Sequence, residues 1–476
     1  MNTNKLRLIA CIGIGFISQF SIFNCAHAQW WTGWSQKTSL ALCLHQADST
    51  YELYSPLQST EPIAVTKWSL SGDTLRLECT SIGLRMTLKR TLTGEGQRGW
   101  QGTWRQGLLR EPITLLPADT LYQLRRPQTP QHRFTEETLT VDYVDSHGDS
   151  IHLEGTLTLP LGHSSTPYPC LMLVSGSGQQ NRDEELFHHR PFFVLADYLA
   201  SRGIATFRYD DRGVGASRGP LDSATTLTFA EDAEALFNIL KRHPSVDSRR
   251  LGLGGHSEGA AIAPMVAARN KDVKYVVMLA GQGCSGLDVM LQQNEAIFRA
   301  QGLSDSLVAI RVACMREIFG TQVASLQMGR GLPARDELQA IILRHTASLT
   351  KEQKDSIGFG RGAAYNLKQQ LDLPWMQAFL ALDPASYLPK VHCPLLALGG
   401  TRDCQVLAAP NLQRIKQLCP QAETRLLPDL NHLFQHCTTG APDEYIQIEE
   451  TFAPEAMRLI TDFLLTPTLT PTKTKH

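Results

Sequence analysis

The chain has 476 residues, a length that points to more than one domain. Hydrophobic residues make up 42% and charged residues 19%, so it can bury a core and is not a disordered polyelectrolyte. Its 45 basic and 46 acidic residues leave a net charge of -1, which argues against a general nucleic-acid binder, whose affinity comes largely from neutralising phosphates.

In chain order, residues 1–28 read as a signal peptide. Lys5 and Arg7 form a positive start, an apolar stretch runs from Leu8 to Phe23, and Ala26-His27-Ala28 supplies a small-residue cleavage site. Gln19 and Asn24 interrupt the apolar run, which is short for a membrane span. The expectation is therefore export to the periplasm or the medium. Lipid anchoring at Cys25 is the minor alternative, because Ser21-Ile22-Phe23-Asn24 is a poor lipobox. No later segment is apolar and long enough for a stable span. Of the eleven cysteines, Cys11 and Cys25 fall in this presequence, and the rest form no C-x-x-C pair of the kind zinc or redox sites use. Most sit in apolar contexts and read as small core filler. Cys43 with Cys79 is a candidate disulfide.

Residues 30–118 read as an all-β domain. Short alternating runs recur, as in Ser39–Leu44, Asp73–Cys79 and Gly83–Leu88, with turn formers such as Ser71-Gly72-Asp73 between them. Trp31, Trp34, Trp68, Trp100 and Trp104 concentrate here. They suit the core of a small barrel or sandwich; the competing reading is a sugar-stacking stripe. Residues 119–133, with Arg125-Arg126-Pro127 and Thr129-Pro130, read as a linker, and 467–476 as a disordered Thr/Pro/Lys-rich tail.

From 134 to 466 the rhythm changes. Two strands are expected near 138–144 and 151–159. Strands and helices then alternate, with apolar strands at 171–174, 204–209, 251–253, 273–279, 395–398 and 424–427. Helices are expected at 192–199, 229–240, 260–268, 411–418 and 454–464. Such alternation predicts a mostly parallel sheet with helices on both faces, an α/β architecture. Residues 284–375 break the pattern. They are rich in Gln, Leu and Ala and read as a helical cap inserted over the strand ends.

Gly255-His256-Ser257-Glu258-Gly259 matches G-x-S-x-G after an apolar strand and before a helix, the context of a nucleophile elbow. The turn is so sharp that flanking glycines are needed. It lifts the hydroxyl above a helix N-terminus, where the dipole favours negative charge. A serine alone is a weak nucleophile and needs a base, which in turn needs an orienting acid. In this architecture the chain order is serine, acid, histidine. Asp403, after the strand and glycine turn Leu395–Gly400, is the candidate acid, and His432, after the strand ending near Leu427, the candidate base. Asp383 or Asp429 and His436 are rival choices that sit less well against their strands. Two backbone N–H groups must meet the oxyanion. Glu258, following the nucleophile, should give one, and Ser177, with Gly178 as alternative, the other, from the Ser175-Gly176-Ser177-Gly178 loop.

Two patterns compete for other chemistry. Gly213, Gly215 and Gly219 follow a strand, as in a dinucleotide turn, but Pro220 stands where the helix should run. Arg212 is better read as pinning neighbouring carboxylates. His188-His189 lacks partner ligands at metal spacing and reads as a solvated loop. No cofactor and no metal are expected.

Together these residues resemble the α/β-hydrolase superfamily, and more closely the bacterial serine-aminopeptidase-like hydrolases and esterases. The resemblance runs from about Leu139 to Leu465. It includes Ser175–Gly178 with Arg182-Asp183, Arg208–Gly215, Gly255–Gly259, Asp403 and His432. Relatives often carry Gly-Pro-Gln-Asp-Arg-Asp where this chain has Gly178-Gln179-Gln180-Asn181-Arg182-Asp183. That departure touches substrate contacts and leaves the backbone donor in place. The N-terminal β region more weakly resembles domains fused ahead of such hydrolases. The resemblance implies a serine hydrolase acting on a small ester or short peptide. An ester is favoured, because an aminopeptidase needs acids that hold a free amine; Glu295 and Glu317 lie in the insertion, but nothing in the sequence places them near Ser257 or shows an amine-binding site. The reading of another class is a non-catalytic carbohydrate- or surface-binding protein, motivated by the tryptophans.

Overall fold

The structure, a computed structural model, describes residues 28–466 apart from 35–38, 46–49, 56–61, 93–97, 107–108, 119–124, 129–133 and 163–165. The expected signal peptide, the Cys25 alternative and the C-terminal tail lie outside the described residues. Among the described residues, no helix is long and apolar enough to cross a membrane.

Alternation of apolar and polar residues builds the first sheet. Strands β1 (Ala28–Trp34), β2 (Ser39–His45), β3 (Thr50–Tyr54), β4 (Ile63–Ala64), β5 (Lys67–Ser71), β6 (Thr74–Cys79), β7 (Leu84–Leu92), β8 (Arg98–Gln106) and β9 (Leu109–Ala118) pair antiparallel in the order β4-β3-β2-β1-β9-β8-β7-β6-β5. Leu42 and Leu53 from one half share a core with Leu77, Met86 and Leu88 from the other. Tyr51 of β3 meets Trp68 of β5 edge-on, with ring centroids 5.1 Å apart, so the sheet curls until its two ends approach. Trp31, Trp100 and Trp104 fill that core, which removes them from any sugar-stacking stripe; the side chain of Trp34 lies outside the described residues. The Cys43–Cys79 disulfide is not formed. Leu40 and Leu42 face the core while Cys43 packs on the other face beside Tyr54, so the sheet itself separates it from the core-facing thiol of Cys79.

The described part of the expected linker is docked, not free. Arg126 donates to the carbonyls of Phe187, Ile446 and Ile448, and Gln128 bonds the backbone of Thr451 and Phe452.

The second sheet has the order β10-β11-β13-β12-β14-β15-β16-β17. The hairpin β10 (Phe134–Val144) and β11 (Ser150–Pro160) is antiparallel and forms one edge. The others, β12 (Tyr168–Val174), β13 (Ala205–Tyr209), β14 (Val246–His256), β15 (Val276–Leu279), β16 (Leu395–Gly400) and β17 (Glu423–Leu427), pair parallel. The apolar run of β12 is buried on both sides. Cys170, Met172 and Val174 pack toward α2 (Thr226–Leu240), α3 (Gly259–Arg269) and α10 (Ala408–Leu418). Leu171 and Leu173 pack toward α1 (Pro191–Ala200) and α11 (Pro454–Leu465). This is the α/β-hydrolase fold, preceded by an all-β sheet.

Between β15 and β16 the chain leaves the sheet for six helices: α4 (Gly286–Ala300), α5 (Asp305–Gln327), α6 (Arg335–His345), α7 (Lys351–Ser356), α8 (Ala363–Leu371) and α9 (Pro374–Ala381). They bury a core of their own, which Val406 from the loop after β16 joins, so the insertion sits over that strand end. Helix α9 carries the insertion past the expected boundary at 375.

Arg212 holds the edge hairpin to the body of the domain. It is 1% exposed and donates to Asp232 at 2.8 and 2.9 Å, to Asp145 at 2.9 Å and to Tyr143 Oη at 3.2 Å. The segment after it reaches helix α2 only at Thr226, so no helix N-terminus faces the Gly213–Gly219 turn. Removing one partner of a buried ion pair leaves an uncompensated charge. Arg212→Ala is expected to destabilise this domain by about 3–5 kcal/mol, read as a lowered urea midpoint.

The His188-His189 loop differs from expectation. His189 is 1% exposed, with Nδ1 at 3.0 Å from Thr451 Oγ1 and Nε2 at 3.3 Å from the Tyr445 carbonyl. It belongs to the packing under the docked linker, not to a solvated loop.

Candidate active site

The strand–turn–helix junction at Ser257 follows from its two glycines. Ser257 has φ +53°, in the left-handed region that side chains rarely adopt. A Cβ on Gly255 would lie 2.0 Å from the Gly259 carbonyl oxygen, and one on Gly259 would lie 2.1 Å from that of Val174. Only glycine allows the helix to turn back so closely over the strand. The Ser257 N–H donates to the Leu279 carbonyl at 2.9 Å, which ties the elbow to β15.

Asp403 and His432 meet at the same end of the sheet. His432 Nδ1 lies 2.9 Å from Asp403 Oδ2, with side-chain exposures of 5% and 0%. Asp403 Oδ1 accepts from the N–H groups of Gln405 and Val406, which leaves Oδ2 for the imidazole. The histidine loop is braced from within, since Asn431 Oδ1 accepts from the N–H groups of Leu433 and Gln435. His256, next to Ser257, brings the loop to the elbow: its Nε2 is 2.9 Å from the His432 carbonyl oxygen, and the two rings are 4.8 Å apart. Among the described residues the Ser257 hydroxyl makes no hydrogen bond, so its link to His432 is not closed, and the approach of the two rests on the His256 contacts to the His432 loop.

The rival residues are engaged elsewhere. His436 is bound by Glu450 and Glu455, Asp429 faces Arg402, and Asp383 caps the short helix Pro384–Ser386.

The loop after β12 lies against the nucleophile. A Cβ on Gly176 would sit 3.2 Å from Ser257 Cβ. Asp211 fastens this loop by accepting from Ser175 Oγ at 2.9 Å and the Gln180 N–H at 3.0 Å, and Asp210 grips Arg182. Among the described residues, the N–H groups of Ser177, Gly178 and Glu258 donate to no protein acceptor, whereas that of Gly176 is taken by Glu184. Unspent donors beside the nucleophile are what an oxyanion requires.

Two buried carboxylates beside the elbow were not anticipated. Glu184 pairs with His256 and the Gly176 N–H. Glu258 is 3% exposed and accepts from Thr226 Oγ1 at 2.5 Å and from Trp375 Nε1, on α9, at 2.8 Å. Burial pushes the Glu258 carboxyl up to about 6, against the pull of those two donors. Its folded value therefore lies above the unfolded 4.5. Between these pH values the folded chain keeps a proton that the unfolded chain has lost, so stability falls as pH rises through the window. Above about pH 6 the buried charge costs on the order of 2 kcal/mol. Glu258→Gln is expected to recover that amount at pH 8 and nothing below pH 4.5, measured by urea unfolding at both.

A model of the family described as serine aminopeptidase, S33 matches residues 187–436, just over half of the chain. The chain belongs to this family of α/β-hydrolases. Within and beyond the family match, it is similar to the esterase EstD of Thermotoga maritima, with 26% identity over 283 residues, 59% of this chain and 58% of that protein. It is also similar to the thiohydrolase apmlB of Arthrinium phaeospermum, with 40% identity over 76 residues, 16% of this chain. The chain thus spans 58% and 25% of the lengths of these curated relatives. Among solved structures, it is similar to a hypothetical protein, PA2218, from Pseudomonas aeruginosa, with TM-score 0.42 and 16% identity, covering 72% of this chain and 98% of that one.

For a serine aminopeptidase family member, the two cap acids are informative. Glu295 pairs with Arg299 at 2.8 Å. Glu317 is shared by Arg344 and His345, and the His345 hydrogen bond, aided by Arg344, holds its carboxyl below the usual range. Both are committed to neighbours within the cap. Among the described residues, no group of three or more His, Cys, Asp or Glu side chains is arranged to hold a metal.

Proposed function

We propose that this chain is a serine hydrolase that cleaves carboxylic esters by acyl transfer. The observation that carries the reading is the buried Asp403–His432 hydrogen bond beside a serine held at positive φ. His432 Nε2 takes the proton of Ser257 as the hydroxyl oxygen attacks the carbonyl carbon. Asp403 holds the tautomer with the proton on Nδ1 and stabilises the imidazolium that forms. The N–H groups of Glu258 and Ser177, or Gly178 in its place, hold the oxyanion. Collapse expels the alcohol, which takes its proton from His432. Water then attacks the acyl-enzyme with His432 again as base.

Amide hydrolysis by an aminopeptidase uses the same groups and is the second reading, favoured by the family description. The commitment of Glu295 and Glu317 to basic partners favours the ester. A non-catalytic sugar binder is disfavoured by the burial of Trp31, Trp100 and Trp104. Turnover of p-nitrophenyl acetate with little or none of aminoacyl-p-nitroanilides supports the ester reading, and the reverse ranking overturns it. Failure of a fluorophosphonate to label Ser257 overturns the serine mechanism altogether.

The presequence pattern also supports export. Sequencing the N-terminus of protein from the periplasm or medium should find cleavage after Ala28.

A further inference from the structure

The middle residue of Gly255-His256-Ser257 sits between a carboxyl oxygen and a backbone carbonyl oxygen. His256 Nδ1 is 2.8 Å from Glu184 Oε1, and Nε2 is 2.9 Å from the carbonyl oxygen of His432. A neutral imidazole has one N–H and can donate to one of these; with Glu184 ionised, donating to both requires a proton on each nitrogen. The same Glu184 oxygen accepts from the Gly176 N–H at 2.6 Å. One carboxylate therefore grips the loop before the oxyanion donors, and one ring grips the backbone of the general base.

We propose that Glu184 and His256 form a carboxylate–imidazolium pair that positions the reacting groups, clamping the oxyanion loop, the nucleophile elbow and the His432 loop to one another. The proposal rests on the serine-hydrolase reading and adds two positioning residues to it.

The burial of the pair makes it consequential. His256 and Glu184 are both nearly inaccessible, with side-chain exposures of 8% and 7%. Glu184 holds this place at φ +53°, in a turn where Asn181 Oδ1 accepts from the N–H groups of Asp183 and Glu185. The groups that face His256 are Glu184, His432 and, further off, Asp403. Burial alone would push the His256 imidazolium toward neutrality; Glu184, the His432 carbonyl and Asp403 outweigh it and raise its pKa. A raised histidine contributes its stability fully below the unfolded value and loses it as pH rises through the folded value.

The test uses full-length protein labelled with 15N-histidine, on both the wild type and Ser257→Ala. At pH 8 the proposal expects one histidine, absent from His256→Gln, with both ring nitrogens at the imidazolium position, and its conversion to a neutral ring in Glu184→Gln. In kinetics on p-nitrophenyl acetate, Glu184→Gln and His256→Gln should each lower kcat by about 10- to 100-fold with KM changed less than about twofold. A neutral His256 ring in the wild type at pH 8 overturns the proposal, whether or not either variant folds. So does a folded Glu184→Gln enzyme of unchanged kcat. Absence of ester turnover in the wild type would instead sink the functional reading, and the spectrum would still decide the protonation of His256.

Discussion

Replacement of Ser257 by alanine is expected to lower ester turnover by roughly four to six orders of magnitude while leaving the protein folded. The large effect follows because the oxygen that forms the acyl bond is removed, and water in its place lacks the fixed approach to the carbonyl. The fold should survive because the positive φ at this position is imposed by the close contacts of Gly255 and Gly259, which the substitution does not touch. The Ser257 N–H bond to Leu279 is also retained. The measurement pairs steady-state hydrolysis with fluorophosphonate labelling. Loss of both with an unchanged circular dichroism spectrum is the expected result, and most of the activity surviving would show that another nucleophile is at work.

Asp403→Asn should come next in size, at about 10⁴-fold in kcat. Asparagine fits the same space and can still accept from Gln405 and Val406 through its oxygen. Its amide then faces His432 Nδ1 as a donor, which favours the tautomer with the proton on Nε2. In that tautomer the ring cannot take the serine proton. No anion remains to steady the imidazolium. The variant should label slowly but completely with a fluorophosphonate, since Ser257 itself is intact. Activity within tenfold of the wild type would shift the acid role elsewhere, with Asp429 the residue to examine.

Much of this arrangement could be read along the chain because it depends on local pattern. The apolar run Leu171–Val174 needed helices on both faces and has them. Gly255 and Gly259 announced a turn that no other residue could make. The strand–glycine–aspartate order placed Asp403 opposite His432. Contacts between distant segments carry no period and were missed. His256 meets a carboxylate 72 positions away, and Glu258 meets an indole 117 positions away. His188-His189 looked solvated because the sequence shows neighbours in the chain, and His189 is buried by Thr451 and Tyr445 from the far end. The two carboxylates at 210 and 211 were legible as part of a motif, but their use in fastening the loop after β12 appears only when β13 is laid beside β12. The suggested Cys43–Cys79 bridge failed for a related reason: alternation told each thiol's side of its own strand, not which side of the curled sheet the two strands shared.

The reach of Trp375 to Glu258 has a bearing on how such proteins diversify and how they can be re-engineered. Helices α4, α5, α6 and α8 share one apolar core, to which α9 contributes Met376, Phe379 and Leu380. Helix α9 is different, because its indole reaches the residue next to the nucleophile and any foreign replacement must supply a comparable donor there. A chimera assembled by exchanging the whole insertion would strand a charge beneath the new roof. One that keeps α9 as a native splice point would inherit a catalytic floor already set in register.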